Sequence, residues 1–204
     1  MVTPDTLMQI FTLVTGVVYI VLEIRQKNLM WAVGVLTAAA AMWVFFREGL
    51  YASFGLNAYY FFMSFWGLWQ WRKTKKSVKE KSGADSAASG DLICLNRIGL
   101  PVLAISAAAA VLGTALLSVV MEKFENPMSF MDSSVAVLSA VATWWLGRSY
   151  LEQWYIWIAA DFVCAVLCAC QGLWWMAALY LFYTVAAAYG LVHWKRHGKY
   201  ADAL

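Results

Sequence analysis

Two tryptophans and an aspartate share one face of a strongly apolar segment in the C-terminal half. Trp154, Trp157 and Asp161 follow one another at i, i+3 and i+7, which places them on one stripe of a helix. A carboxylate near the centre of a membrane span costs about 2.5–3.5 kcal/mol, so Asp161 should face a cavity or a partner. Because indole is the aromatic group best suited to a cation, the stripe predicts a site for a flat, electron-poor ring bearing hydroxyls.

The same residues also have structural interpretations. Asp161 could bond a neighbouring helix or be held protonated. Trp154 lies near a predicted span end, where tryptophan commonly belongs to the aromatic belt of the membrane interface. Trp157 lies deeper, and a belt position explains it less well. We therefore expect Trp157 and Asp161 to contact a ligand.

A second candidate pair lies in the N-terminal half. Asn57 and Tyr60 are spaced i, i+3 and offer an amide and a phenol on one helix face. Tyr180 and Tyr183 show the same spacing near the C-terminus. A buried amide needs several hydrogen-bond partners, so Asn57 is either a link between helices or a substrate ligand, and the sequence leaves both open.

The composition indicates an integral membrane protein. The chain is 63% hydrophobic and 13% charged, whereas soluble domains carry about 25% charged residues. Of the four cysteines, Cys164, Cys168 and Cys170 share one apolar segment, where cysteine behaves as a small hydrophobe; a soft-metal site there is a minor alternative. We expect no cofactor, no bound metal and no nucleic-acid partner. The N-terminus lacks the basic region of a cleavable signal, so the first apolar run should remain as a helix.

Hydropathy predicts an all-α fold with seven transmembrane helices. Their spans are about 7–23, 29–46, 49–71, 98–120, 131–147, 153–170 and 172–194. A polar stretch separates the third and fourth spans. It begins with a basic run and ends in a Ser/Gly/Ala-rich run from Ser82 to Gly90, whose composition predicts a flexible linker.

The chain repeats itself at an offset of 123 residues without a gap. Arg25, Trp31, Gly49, Leu50, Leu56, Tyr60, Gly67, Leu68 and Trp71 align with Arg148, Trp154, Gly172, Leu173, Leu179, Tyr183, Gly190, Leu191 and Trp194. An additional helix between two three-helix units makes them parallel, which predicts a three-plus-one-plus-three bundle. The predicted divisions are a first repeat (1–72), a basic linker (73–97), a linker helix (98–121), a second repeat (130–195) and a tail (196–204).

The two copies differ where the candidate site lies. Trp157 and Asp161 correspond to Gly34 and Ala38 of the first copy, so one half contributes bulk and charge where the other leaves space. This asymmetry suits one small ligand bound between the halves better than it suits a symmetric ion pore.

Basic residues predict the orientation. Lysine and arginine are retained in the cytoplasm, and an outside N-terminus leaves only Arg47 and Lys123 outside, with the C-terminus in the cytoplasm. Glu23 with Arg25, and Arg148 with Glu152, then read as charge pairs at the membrane surface, or alternatively as a cytoplasmic gate.

The residues point to a transporter rather than an enzyme. We find no His-rich box, no paired aspartate motif, no Ser/His/Asp set and no phosphate loop, and His193 with His197 alone are too few for a metal or haem site. The alternatives left open are a carrier of a sugar or other small polar solute, a proton-coupled carrier using Asp161, a membrane-embedded enzyme, and a non-transporting assembly or regulatory protein.

The motifs resemble those of a known family. Trp154-Tyr-Ile-Trp157, Asn57-Ala-Tyr-Tyr60 and the related Tyr180-Leu-Phe-Tyr183, in a duplicated seven-helix bundle, resemble the PnuC family of bacterial nicotinamide riboside transporters over residues 10–196. The resemblance implies a SWEET-like fold, homotrimeric assembly in the inner membrane, and facilitated diffusion of a vitamin B3 nucleoside that a separate cytoplasmic kinase then phosphorylates. The predicted substrate-binding residues are Trp31, Asn57, Tyr60, Trp154, Trp157, Asp161, Tyr180 and Tyr183.

Overall fold

A computed structural model describes residues 4–47, 51–82, 93–122 and 129–200. The described residues form seven helices and two short strands. In chain order they are α1 (Pro4–Ile24), α2 (Leu29–Arg47), α3 (Tyr51–Ser82), β1 (Ile93–Leu95), α4 (Leu100–Glu122), α5 (Ser129–Gly147), α6 (Gln153–Cys170), α7 (Trp174–His197) and β2 (Gly198–Tyr200).

Six helices close into a ring, and α4 lies outside it. Within the first repeat, α2 packs between α1 and α3; within the second, α6 packs between α5 and α7. Contacts of α1 with α7 and of α3 with α5 join the two repeats, and α4 packs against α5. The all-α membrane fold predicted from the sequence is confirmed. Four of the described helices, α2, α4, α6 and α7, are long and apolar enough to cross a bilayer by themselves.

The third helix is longer than its predicted span. It continues from the apolar segment through the lysine-rich residues to Ser82, because lysine, glutamate and arginine are good helix formers. The predicted basic linker therefore begins as a helix, and Val78 near its end is buried. Residues 83–92, which hold most of the predicted flexible stretch, lie outside the described residues.

The same turn ends the first helix of each repeat. Gln26 after α1 has φ 47° and Ser149 after α5 has φ 58°, and the two positions are related by the repeat offset. In each turn the next amide, of Lys27 or Tyr150, bonds back over five residues to the helix end. The duplication seen in the sequence is thus repeated in the backbone.

Each repeat also packs one tryptophan against one glycine. The indole of Trp31 on α2 lies on Gly67 of α3, and the indole of Trp154 on α6 lies on Gly190 of α7. A Cβ atom at either glycine would overlap the indole, so the third helix can approach the second only because a side chain is absent there.

A second tryptophan of each repeat links it to the other repeat. The indole N–H of Trp71 donates to the carbonyl of Leu146 at 3.0 Å, and that of Trp194 donates to the carbonyl of Ile24 at 2.9 Å. In both cases the third helix of one repeat holds the C-terminal end of the other repeat's first helix. These reciprocal bonds tie the two halves together at this end of the bundle.

Strand β1 lies across the same end, which we call the β1 end. Ile93, Cys94 and Leu95 are at most 2% exposed, and β1 pairs in parallel with β2. The Gln26 amide accepts from the Cys94 N–H at 2.8 Å and donates to the Cys94 carbonyl at 2.9 Å and the Ser149 hydroxyl at 3.1 Å. Burial raises the pKa of the Cys94 thiol, so the thiol stays protonated at neutral pH.

Candidate functional site

One face of α6 carries polar and aromatic side chains into the ring. Gln153, Trp157 and Asp161 are spaced at four-residue intervals, so they form a row of about 12 Å along the helix. Gln153 is fully buried, and Trp157 packs against the buried core. Asp161 interacts electrostatically with Glu23 of α1. The predicted pair Trp157 and Asp161 therefore shares one face with a buried glutamine that the sequence analysis did not select.

Glu23 is buried in the structure. The sequence predicts a charge pair with Arg25 at the membrane surface or a cytoplasmic gate, but the Glu23 side chain is only 5% exposed, so the surface position is wrong. The Gln153 amide lies next to its carboxylate without reaching hydrogen-bond geometry. The repeat held a usable signal: the counterpart of Glu23 is Leu146, an apolar residue inside a predicted span, which indicates a position facing the interior.

The two candidate tyrosines occupy equivalent places across the repeat interface. Tyr60 of α3 lies beside Ser139 of α5, and the hydroxyl of Tyr183 of α7 lies against Gly16 of α1. Ser139 and Gly16 are themselves repeat counterparts. Tyr183 also interacts electrostatically with Asp161, which brings it into the cluster.

The remaining predicted partners of these tyrosines lie one turn away. Tyr180 stands at a ring-centroid distance of 6.4 Å from Tyr183 and interacts electrostatically with Asp161. Asn57 is half-buried on α3, three residues before Tyr60. The structure thus brings Tyr180 to Asp161 and leaves Asn57 on the same helix as Tyr60.

Trp31 and Trp154 differ from the other predicted site residues. Both are about 1% exposed and are enclosed by the glycine and tryptophan of their own repeat. Their ring centroids lie 5.1 Å from Trp71 and 5.4 Å from Trp194, respectively, in edge-to-face geometry. Their surroundings support a packing role at the β1 end.

Several buried polar atoms in this cluster have no hydrogen-bond partner in the described part of the chain. They are Glu23 Oε1, Gln153 Oε1 and Nε2, and Trp157 Nε1. Buried polar groups are normally paired, and an unpaired group costs about 1–3 kcal/mol. A ligand that enters the ring and offers both donors and acceptors would remove this cost.

The ionisable groups of the cluster that could bind a ligand are acidic, and none is basic. Glu23 and Asp161 supply two carboxyl groups, whereas the described lysines and arginines lie in loops, in last helical turns, in β2 or in the polar extension of α3. Nowhere in the described ranges do three or more His, Cys, Asp or Glu side chains form a group able to hold a metal ion. The cluster is therefore suited to an organic cation with hydrogen-bonding groups.

The first repeat has small residues at the positions equivalent to Trp157 and Asp161. Gly34, the counterpart of Trp157, is buried on α2 beside Ser64 and Tyr19, and Ala38, the counterpart of Asp161, is also buried. A cavity of about 740 Å³ lies outside the ring, between α3, α4 and α5, and its walls are mostly apolar. The chemistry of the chain is thus concentrated inside the ring and not in that cavity.

Comparison with known proteins identifies the family. The family described as nicotinamide mononucleotide transporter matches residues 6–196. The PnuC nicotinamide riboside transporters of Escherichia coli (strain K12) and Shigella flexneri are each 32% identical over 165 residues, which cover 74% of this chain and 69% of each relative. A crystal structure of the vitamin B3 transporter PnuC superposes with a TM-score of 0.68 at 23% identity, over 96% of this chain and 85% of that chain.

These matches confirm the predicted family resemblance. The relatives are named as transporters, in agreement with the prediction of a membrane transporter and not an enzyme. The solved structure shares the arrangement of helices described above. The chain belongs to the nicotinamide mononucleotide transporter family.

Proposed function

We propose that the protein carries nicotinamide riboside across the bacterial inner membrane. The observation that carries this proposal is the pair of carboxyl groups of Glu23 and Asp161 beside the Trp157 indole inside the helix ring. Nicotinamide riboside combines a cationic pyridinium ring, a carboxamide and ribose hydroxyls. Each of these groups matches a chemical type in the cluster: indole for the cation, amide for the carboxamide, and carboxylate for the hydroxyls.

The charge of the cluster favours the riboside over the mononucleotide. The mononucleotide adds a phosphate group, which carries between one and two negative charges at neutral pH. Next to Glu23 and Asp161 that phosphate would be buried among acidic groups, with no basic residue of the cluster to compensate for its charge. The riboside lacks the phosphate and avoids this cost.

Each predicted site residue has a role in this proposal. Trp157 stacks on the pyridinium ring, and Asp161 accepts hydrogen bonds from the ribose hydroxyls. Glu23 and Gln153 meet the end of the ligand nearest the β1 end, where their unpaired atoms gain partners. The amide and phenol groups of Asn57, Tyr60, Tyr180 and Tyr183 contribute further hydrogen bonds. Trp31 and Trp154 support the site from the packing layer beneath it.

Transport proceeds by facilitated diffusion with alternating access. The two repeats move against each other around the bound riboside, as in other transporters built from structural repeats. The tryptophan bonds join the two repeats at the β1 end. Phosphorylation of the riboside by a separate cytoplasmic kinase retains it in the cell, so no coupling ion is required.

We further propose an outside N-terminus, a cytoplasmic C-terminus and a homotrimer. The basic residues at the β1 end support this orientation, since lysine and arginine favour the cytoplasmic side. The run of alanines on α4, most of them exposed and lying outside the ring, supports close contact between subunits. A fluorescent protein fused to the C-terminus, which fluoresces only in the cytoplasm, tests the orientation.

Uptake by reconstituted protein tests the proposed substrate. Proteoliposomes containing the purified chain should accumulate labelled nicotinamide riboside to the external concentration and no further. The mononucleotide and free ribose should enter no faster than into protein-free vesicles. Uptake of the mononucleotide or of ribose with no uptake of the riboside would contradict the assignment.

A further inference from the structure

A polar cavity at the β1 end is chemically the opposite of the central cluster. It has a volume of about 410 Å³, and its walls are formed by Gln70, Thr74, Asn96, Arg97, Arg148 and Tyr150. None of these six side chains is acidic, and every one can donate a hydrogen bond. The cavity shares no residue with the central cluster.

Arg148 brings a buried, unpaired hydrogen-bond donor to the wall of this cavity. Its guanidinium lies near two indoles, 5.3 Å from the ring of Trp144 and 5.9 Å from that of Trp66. Its Nε atom is buried and has no hydrogen-bond partner in the part of the chain that the structure describes. A buried cationic donor without an acceptor is costly, so this position calls for a negatively charged oxygen.

Hydrogen bonds and a ring contact fix Asn96 and Arg97 in the wall of the cavity. The Asn96 side chain donates to the Arg148 carbonyl at 2.7 Å, and the Asn96 N–H donates to the Ser149 carbonyl at 3.1 Å. The guanidinium of Arg97, the next residue, lies 5.1 Å from the Tyr200 ring of β2. A site whose donors are already positioned loses little conformational entropy on binding.

We propose that this cavity binds a phosphate group. Arginine is the side chain best matched to phosphate oxygens, because its planar fork donates two hydrogen bonds to one anion. Arg148 and Arg97 supply the charge, and the neutral donors Gln70, Thr74 and Tyr150 complete the coordination. The phosphate belongs either to a soluble phosphate ester or to the headgroup of an anionic lipid, since both present the same oxygens.

Two binding measurements separate these sources. In the first, inorganic phosphate is titrated into the purified protein in neutral detergent by calorimetry, with chloride at matched ionic strength as the reference. In the second, the protein is extracted from vesicles of phosphatidylcholine mixed with phosphatidylglycerol, and native mass spectrometry counts the phosphatidylglycerol that stays bound.

The variants Arg148→Gln and Arg97→Gln remove the two charges separately. Arg97 is exposed, so its variant tests the proposal even if loss of Arg148 disturbs folding. Arg25→Gln is the matched control, because Arg25 is the exposed repeat counterpart of Arg148 and lines no part of this cavity. Each cavity variant should weaken binding about ten- to a hundredfold, the value of a lost charged hydrogen bond.

Either positive result supports the proposal and names the source. Phosphate binding that the cavity variants lose and the Arg25 variant keeps identifies a soluble ester site. Retention of phosphatidylglycerol with the same pattern identifies a lipid headgroup site. The proposal is overturned if neither probe binds the unchanged protein, or if Arg25→Gln weakens binding as much as Arg97→Gln does.

Discussion

The two repeats match at the β1 end and differ in the middle of the ring. At the β1 end, Trp31 on Gly67 and Trp154 on Gly190 are equivalent contacts. In the middle, the second repeat carries Trp157 and Asp161, whereas the equivalent positions of the first repeat are Gly34 and Ala38. Packing constraints act alike on both copies and preserve their likeness, whereas one small ligand needs different groups on its different sides.

Glu23 extends this comparison to α1 and α5, the first helices of the two repeats. Its counterpart is Leu146, so the first repeat supplies a carboxyl group from α1 just as the second supplies one from α6. Each half therefore contributes one carboxyl group from a position where the other half is apolar. The predictions that follow remove either an asymmetric or a symmetric feature, in order of decreasing effect.

The largest effect is expected when the middle of the second repeat is made like the first. Trp157→Gly with Asp161→Ala should lower the affinity for nicotinamide riboside more than about 100-fold, because a desolvated cation–π contact and charged hydrogen bonds are lost together. Calorimetry with purified protein measures the change. Circular dichroism should show an unchanged helix content, and an unchanged affinity would mean that the asymmetry does not serve binding.

A smaller effect is expected from the turns that follow the first helices. Gln26→Ala removes three hydrogen bonds to Cys94 and Ser149, which at about 0.5–1.5 kcal/mol each lowers the free energy of unfolding by roughly 2–4 kcal/mol. Ser149→Ala is the matched control and removes only one of these bonds. Denaturant titration in detergent compares the two variants. Equal decreases in the free energy of unfolding would mean that the Gln26 hydrogen bonds to Cys94 of β1 add no stability.

The glycines under the tryptophans should respond equally in the two repeats. Gly67→Ala and Gly190→Ala each place a methyl group where it overlaps the indole packed on that glycine. This overpacking lowers the free energy of unfolding by about 1–3 kcal/mol. Gly55→Ala is the control, since nothing lies within 4 Å of the added carbon. A loss at one glycine only would show that the two packing contacts are not equivalent.

The smallest effect concerns the tryptophan bonds between repeats. Trp71→Phe and Trp194→Phe keep an aromatic ring and remove one donor to Leu146 or Ile24, which costs about 1 kcal/mol each. Thermal unfolding should show similar decreases for the two single variants and an approximately additive decrease for the double variant. A lower unfolding temperature for only one single variant would show that the two tryptophan bonds are not equivalent.

The sequence was a good guide to features that depend on local pattern. Hydropathy placed the helices, and the offset between copies matches two residues that adopt equivalent turns in the structure, Gln26 and Ser149. It failed at β1, because a three-residue strand inside a polar stretch has no periodicity and pairs with β2 about a hundred residues away. Helical spacing put Trp154 on the same stripe as Trp157 but could not show that Trp154 packs against Trp194, since spacing gives the face of a side chain and not its neighbours.

Glu23 shows the same limit for charged residues. An acidic residue at the end of an apolar run, two positions before Arg25, is typical of a membrane surface. Its burial depends on α6, which brings Gln153 beside it from a distant part of the chain. Only the repeat alignment, which matches Glu23 with an apolar residue, contains that information.

The most direct test compares the two carboxyl groups in a single binding experiment. Calorimetry should detect nicotinamide riboside binding to the unchanged protein, and Asp161→Asn and Glu23→Gln should each weaken it about ten- to a hundredfold, as expected for charged hydrogen bonds. The mononucleotide should show no binding that Asp161→Asn or Glu23→Gln weakens. Riboside binding that is unaffected by both substitutions would contradict the claim that carboxyl groups from both halves bind the riboside.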